Sequence, residues 1–401
     1  MSFLTTLFLV IMAAILIFYL LLLISFLSLI FHPQATLSPF LLKRDRYPKN
    51  AHGHIPSVSV LIPARNEEHN IGNCLSALLE QDFPNFEVIV IDDQSTDRTA
   101  EVVRKFQEKS KAVKLIKGKE LPPGWIGKNH ALYQGVQKAS GEYLLFLDAD
   151  AKITSSRCIN QTVNYALEHN SDLLTLVPQL ECKSFWEKVV MPLFGFIVIN
   201  GFILKKINDP DSKITSVVGP YLFFKRTTYE KLGGHEKIKG EIVEDLVLAR
   251  TVKKEGFRLS YLLGTELFSL REYNNLRGIW EGFSKNFFVG MEEKIGLAIL
   301  CIFLIFTVLV LPWLLVPIAL SYLIFFGVNN LIIMILILAL IPCFITIAIR
   351  RLLSILGGLD DTYAFLQPLG ALVFIGILIN STIKVSFGKG VTWKGRTYLD
   401  G

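Results

Sequence analysis

Apolar and polar positions are segregated along this chain on two scales. Over the whole chain, no charged residue occurs before Lys43, and between Lys294 and Lys384 the only charges are Arg350, Arg351, Asp360 and Asp361. Nearly all the charge sits in the middle. Residues 3 to 31 form an uncharged apolar stretch, long enough to cross a hydrocarbon core of about 30 Å at about 1.5 Å per residue. With no basic n-region and no small-residue cleavage site before His32-Pro33, residues 1–31 read as a retained transmembrane anchor. A basic linker over 32–55, with Lys43, Arg44, Arg46 and Lys49, places the polar region that follows in the cytoplasm. Apolar spans at about 295–328, 331–349 and 364–383 predict C-terminal transmembrane helices over 295–383, and the basic tail 384–401 also prefers the cytoplasm. A cytoplasmic tail requires an even number of crossings after Lys294. Either the first span is double, at Pro312 and Pro317, or one span lies in the interface without crossing.

On the local scale, residues 56–290 alternate short β-branched runs with longer helical stretches. Strands are expected at Val58 to Ile62, Glu87 to Ile91, Val113 to Ile116, Tyr143 to Leu147 and Asp172 to Val177, with an extended run at Ile214 to Phe224. Helices are expected at about Glu67 to Gln81, after Thr96, at Lys128 to Lys138, Ser156 to Glu168 and Glu241 to Lys254, with an interfacial helix at Tyr273 to Phe288. This rhythm predicts an α/β domain with a mostly parallel sheet and ligands at the strand C-termini. The segment 185–204 breaks the rhythm. It is too short and too interrupted for a comfortable crossing, and reads as an interfacial insert or a buried core helix.

Composition agrees with a membrane protein built around one polar domain: 401 residues, 51% hydrophobic, mean hydropathy +0.45. The net charge of +6 is not gathered into a basic stripe interleaved with aromatics, so no nucleic-acid partner is expected, and anionic lipid accounts for it better. Five scattered cysteines without CxxC spacing indicate neither a zinc site nor a disulfide framework.

The chemistry lies at the strand ends. Asp148 and Asp150, one residue apart after an apolar strand, fall on one side of an extended backbone and suit a hard cation through oxygen. Alone, such a pair is more often a solvated turn. No Gly-rich phosphate loop of either common type is present, which disfavours P-loop kinases and dinucleotide enzymes. Four acidic motifs occur in order: Ile62-Pro-Ala-Arg-Asn-Glu67, Ile91-Asp-Asp-Gln-Ser-Thr-Asp97, Asp148-Ala-Asp150 and Val243-Glu-Asp-Leu246. Together they resemble the membrane-bound family 2 glycosyltransferases with a GT-A nucleotide-sugar domain, over about 56–290. Leu121-Pro-Pro-Gly-Trp-Ile-Gly-Lys-Asn129 and Val391-Thr-Trp-Lys-Gly-Arg-Thr-Tyr398 look like signatures of the branch that glycosylates carotenoids (diaponeurosporenoate type) and hopanoid-associated lipids, and more distantly ceramide.

The resemblance implies an inverting, metal-dependent hexosyltransferase in the bacterial cell membrane, with its catalytic domain cytoplasmic. It would move one sugar from a UDP- or GDP-sugar to a membrane-embedded lipid acceptor, a carotenoid or other isoprenoid. By the same resemblance, Asp148 and Asp150 hold Mg²⁺ or Mn²⁺, and Asp93, Pro63, Glu67, Lys128 and Asp148 take the nucleotide sugar. Asp245 matches the catalytic base that removes the acceptor proton. Acids in the first turn of a helix also serve the dipole, which is the plainer reading of Glu244.

One departure concerns processive synthases, which carry Gln-x-x-Arg-Trp where this chain reads Asn275-Leu-Arg-Gly-Ile-Trp280. That weakens a polymerase reading. A polyprenyl-phosphate or ceramide-type transferase stays open because Arg271, Arg277 and Lys285 offer a clamp for an anionic acceptor. A catalytically silent nucleotide-binding scaffold would tolerate loss of Asp150 or Asp245, and both are present. A transporter is disfavoured, since the spans hold no ionisable residue at mid-depth.

Overall fold

The computed structural model describes residues 37–48, 54–193, 201–291 and 293–386, the short strands at 391–393 and 396–398, and part of 6–21. Most of the anchor at 1–31, the linker residues 32–36 and 49–53, residues 194–200 of the apolar insert and half of the tail at 384–401 lie outside the described residues.

The polar domain is built in chain order from β1 (Val58–Ala64), α1 (Ile71–Leu79), β2 (Phe86–Asp92), α2 (Thr99–Lys109), β3 (Val113–Lys117), α3 (Gly127–Val136), β4 (Tyr143–Leu147), α4 (Cys158–His169) and β5 (Leu173–Val177). After two short helices, α5 (Phe185–Val190) and α6 (Gly201–Asn208), come β6 (Tyr221–Lys225), α7 (Glu244–Lys254) and β7 (Leu259–Leu263). The sheet order is β3-β2-β1-β4-β6-β5-β7, parallel except for β6, which runs antiparallel to both β4 and β5. A second sheet of three short strands joins Lys152–Ile153, Phe268–Leu270 and Gln179–Leu180.

All five residues of β4 are buried, as expected of a central strand covered on both faces. Alternate side chains divide between two layers. Val60, Ile62, Leu145 and Leu147 pack with α1 and α4, while Leu61, Ile91, Leu144 and Phe146 pack with α3, α6 and α7. Each fully buried Leu or Phe contributes about 1.5–3 kcal/mol, so a one-residue slip of a strand would forfeit a whole face. Because β6 enters antiparallel, its first residues sit at the same edge as the C-terminal ends of β1, β2 and β4. That edge carries the acids.

Several expected boundaries move for local reasons. The helix expected from Glu67 starts at Ile71, because Asn66 takes a left-handed φ of 56° and residues 67–70 form a turn. Only the end of the run 214–224 is strand; Val217 to Pro220 form a loop whose Val218 N and O both pair with Thr175 Oγ1 at 3.0 Å. The described part of the insert is two helices. Leu204 and Ile207 of α6 join the domain core, whereas Val189 and Val190 of α5 and neighbouring Met191 pack beneath α8 (Leu276–Gly290).

Three apolar stretches among the described residues are long enough to cross a membrane: α9 (Ile295–Phe326), α10 (Asn330–Leu356), and 361–386, which contains α11 (Gln367–Ser386). The first is one helix with a π-turn at Phe306–Val310, not two. Pro312 lacks the N–H that would bond the carbonyl of Val308, and the Tyr19 hydroxyl donates to that oxygen instead. At the α9–α10 tip, Ile324, Phe325, Phe326 and Val328 are 76%, 79%, 76% and 85% exposed, an apolar surface unsuited to water.

α11 behaves differently. Its Gly370 lies against the Val189 carbonyl, Gly376 against the Trp280 ring, and Ser381 Oγ accepts from Phe288 N at 3.1 Å. Near its far end Val385 joins Ile126 and Ile242 of the polar domain. Both ends of α11 therefore rest on one domain. The return of α10 is fastened there too. Arg350, 1% exposed, donates to Gln367 Oε1 (2.6 Å) and to the carbonyls of Lys188 (2.9 Å) and Val189 (3.1 Å) at the end of α5. Arg351 pairs with Asp361 (2.7 Å) and Lys188 with Asp360 (3.2 Å).

Candidate active site

The loops after β1 and β2 are built as a pair. Arg65 Nη1 donates to the Asp93 carbonyl and Asp93 N to the Ala64 carbonyl, both at 2.8 Å. Asn66 Oδ1 accepts from Thr96 N (2.8 Å), and Asp97 accepts from Thr99 N (2.9 Å) and Glu68 N (3.1 Å). Asp92 accepts from Ser95 N at 3.0 Å. Of the acids in this motif, Asp92 and Asp97 form the turn and Asp93 lines the cavity. Glu67 accepts from Asn70 Nδ2 (2.8 Å) while its own N–H donates to Thr99 Oγ1 (2.8 Å), which holds the start of α1 against α2.

At the end of β4, Asp148 N donates to the Pro220 carbonyl (3.2 Å), so Asp148 and Asp150 emerge beside the first residues of β6. Asn129 explains half of the Trp-Ile-Gly-Lys-Asn signature. Its buried Nδ2 donates to the carbonyls of Ile238 (3.0 Å), Lys239 (3.3 Å) and Glu241 (3.0 Å), tying the start of α3 to the loop that leads into α7. Lys128, next to it, reaches two acids at once: Nζ lies 2.9 Å from Asp148 Oδ1 and 3.1 Å from Glu244 Oε1. Burial opposes its charge, but Asp148 and Glu244 together outweigh that penalty and hold its pKa well above the ordinary lysine range.

Asp245 follows in the first turn of α7, with Oδ1 accepting from Leu246 N at 2.7 Å. Burial, and then the neighbouring Glu244 carboxylate, push its pKa up to about 7. A carboxylate in that range suits proton transfer near neutral pH. Gly219 is in tight contact with it: a Cβ there would lie 2.5 Å from Asp245 Oδ2.

These groups share a cavity of about 1130 Å³ whose wall includes Pro63, Glu67, Asp93, Lys128, Asp148, Asp150 and Asp245, the residues that the family resemblance assigns to nucleotide sugar, metal and base. The lining also has apolar members: Met191, Phe283 of α8, Leu353 and Leu356 of α10, and Leu37 and Leu41 ahead of the domain. Leu41 is held there by its bridge to Leu263 at the end of β7, whose carbonyl accepts from Leu42 N at 3.0 Å.

Three contributors were not legible beforehand: Glu244 as an ion-pair partner, Gly219 and Glu272. Glu244, read from the sequence as a dipole acid, is the second partner of Lys128. Gly219 carries no signal apart from its contact with Asp245. Glu272 and Lys285 both line the cavity; burial raises the pKa of the first and lowers that of the second. Of the three cations considered for an acceptor clamp, Arg271 is bound to Glu187 (2.9 and 3.0 Å) and Arg277 to Glu281 (2.8 Å), and Lys285 faces the cavity.

Asp148 and Asp150 fit a divalent cation by donor type, two carboxylates on one wall. Among the described residues no group of three His, Cys, Asp or Glu forms a closed metal centre. A pair that leaves positions for a diphosphate is the open arrangement that substrate binding requires.

Comparison with known proteins gives the same reading. Residues 59–233 match the family model described as glycosyl transferase family 2. A 4,4'-diaponeurosporenoate glycosyltransferase of Staphylococcus aureus is 28% identical over 236 residues, 58% of this chain and 61% of that protein, so the match spans about three fifths of the relative. A mannosyltransferase of Pyrobaculum calidifontis, solved in complex with GDP-Man and Mn²⁺, shares the fold with a TM-score of 0.50 at 19% identity, covering 94% of this chain and 97% of that one. The family match ends at residue 233, before Asp245, Glu272 and Lys285, which it therefore does not cover. Residues 59–233 of the α/β domain thus resemble glycosyl transferase family 2, and the domain has a GT-A-like fold.

Proposed function

We propose that the protein is an inverting glycosyltransferase that moves one sugar from a nucleoside-diphosphate sugar to a membrane-embedded lipid, a carotenoid or other isoprenoid. The observation that carries this reading is one cavity lined both by donor-type acids and by apolar residues, among them Leu353 and Leu356 of the membrane-type helix α10. Pro63, Glu67 and Asp93 bind the nucleoside, and Asp148 and Asp150 hold Mg²⁺ or Mn²⁺ against the diphosphate. A divalent cation there supplies charge neutralisation to the departing nucleoside diphosphate. Asp245 takes the proton from the acceptor hydroxyl as that oxygen attacks the anomeric carbon and the nucleoside diphosphate departs. The S. aureus relative, a 4,4'-diaponeurosporenoate glycosyltransferase, supports an isoprenoid acceptor.

The same reading assigns the membrane topology. α9 leaves and α10 returns, which makes two crossings, and α11 lies along the interface with both ends on the catalytic domain. Two crossings leave the tail on the same cytoplasmic side as that domain. The polyprenyl-phosphate alternative is weakened, because Arg271 and Arg277 are paired elsewhere.

The decisive experiment is lipid extraction from cells with and without the protein, followed by mass spectrometry. A glycolipid that disappears with the gene gives sugar and aglycone together. Unchanged lipids alongside a new soluble glycoside would refute a membrane acceptor.

A further inference from the structure

Resting on that reading of the donor site, we propose that Lys128 is the resident counter-ion of Asp148, and that it passes to the nucleotide diphosphate as a divalent metal takes Asp148. Metal and nucleotide then load together, each weakly without the other.

The geometry supports this in three ways. Lys128 Nζ lies 2.9 Å from Asp148 Oδ1, so a cation held by this carboxylate would share it with a like charge. The ammonium also has somewhere to pivot: Glu244, at 3.1 Å and 9% exposed in its side chain, remains beside it after Asp148 is released. The backbone is fixed while the head is mobile. Asn129 pins the start of α3 through three carbonyls, whereas the Lys128 side chain is 32% exposed on the cavity wall and its flexible stem lets the head swing. A lysine serving structure alone would have no need to bridge an acid of the donor site to the acid beside the base.

A nucleotide diphosphate offers the ammonium replacement oxygens, which removes the conflict with the metal. By linkage, the gain in metal affinity caused by nucleotide equals the gain in nucleotide affinity caused by metal.

The test measures Mn²⁺ binding to the full-length, detergent-purified protein by the EPR signal of free Mn²⁺, alone and with saturating UDP or GDP. Wild type should bind Mn²⁺ weakly alone and on the order of tenfold more tightly with the matching nucleotide. Lys128→Met should bind Mn²⁺ alone on the order of tenfold more tightly than wild type, with the nucleotide effect reduced to about threefold or less. Lys128→Arg, which keeps the charge, should retain most of the coupling and serves with the thermal midpoint as the control for folding. If folded Lys128→Met binds Mn²⁺ alone no better than wild type, the counter-ion role is wrong while the donor site stands. If wild type binds neither UDP nor GDP at any Mn²⁺ concentration, the donor-site reading itself fails.

Discussion

The contact between Gly219 and Asp245 offers the sharpest test of the site. A Cβ at position 219 would fall 2.5 Å from Asp245 Oδ2 and 3.3 Å from its Cγ. Ordinary van der Waals contact begins at about 3.4 Å, so in Gly219→Ala the carboxylate must move by about 1 Å. The residue is not in the left-handed region, so alanine is tolerated by the backbone and the side-chain clash is the whole perturbation. Misplacing a catalytic group by about 1 Å costs on the order of 10²-fold in rate. Overpacking costs about 1–3 kcal/mol of stability. Gly219→Ala should therefore lose about 10²-fold in kcat for transfer of radiolabelled sugar to lipid, with donor KM within about twofold of wild type. Because both changes act through one carboxylate, Gly219→Ala combined with Asp245→Asn should be little worse than Asp245→Asn alone. Retention of more than half the wild-type kcat by Gly219→Ala, with Asp245→Asn inactive, would refute the idea that this contact positions the base.

Further outcomes follow from the same geometry. Asp245→Asn and Asp150→Ala should each abolish transfer while leaving expression in the membrane intact, as read by the lipid assay; near-normal transfer by Asp245→Asn would end its role as base. With a pKa pushed up to about 7, Asp245 is protonated below that pH, so kcat should fall about tenfold per pH unit on the acid side, and Glu244→Gln should move that limb to lower pH. The stability sign is opposite. A folded-state pKa above the unfolded value stabilises the fold at low pH and is lost as pH rises from the ordinary carboxylate range through about 7, so Asp245→Asn should melt higher than wild type at pH 8 and equal to it near pH 4. Arg350→Met orphans the buried carbonyls of Lys188 and Val189, at about 1–3 kcal/mol each, and should lower the thermal midpoint and expose 357–366 to proteolysis.

Local signals determined a large part of this protein from the sequence. Short β-branched apolar runs with intervening helical stretches located β1 through β5, and Tyr143 to Leu147 matched to the residue, because a strand covered on both faces must be continuously apolar. The same logic put Asp93, Asp148 and Asp150 at strand ends, and the absence of charge after Lys294 located the three apolar helices. Tertiary structure decided what no local pattern encodes. Glu244 and Asp245 are adjacent in sequence, yet one pairs with Lys128 and the other rests on Gly219, because α3 and β6 approach α7 from different sides. Hydropathy gave α11 the same signature as α9 and α10. Its place along the domain follows from Gly370, Gly376 and Ser381 meeting partners more than 90 residues away. Periodicity reports how much of a segment leaves water, and only the approach of distant segments determines which surface receives it.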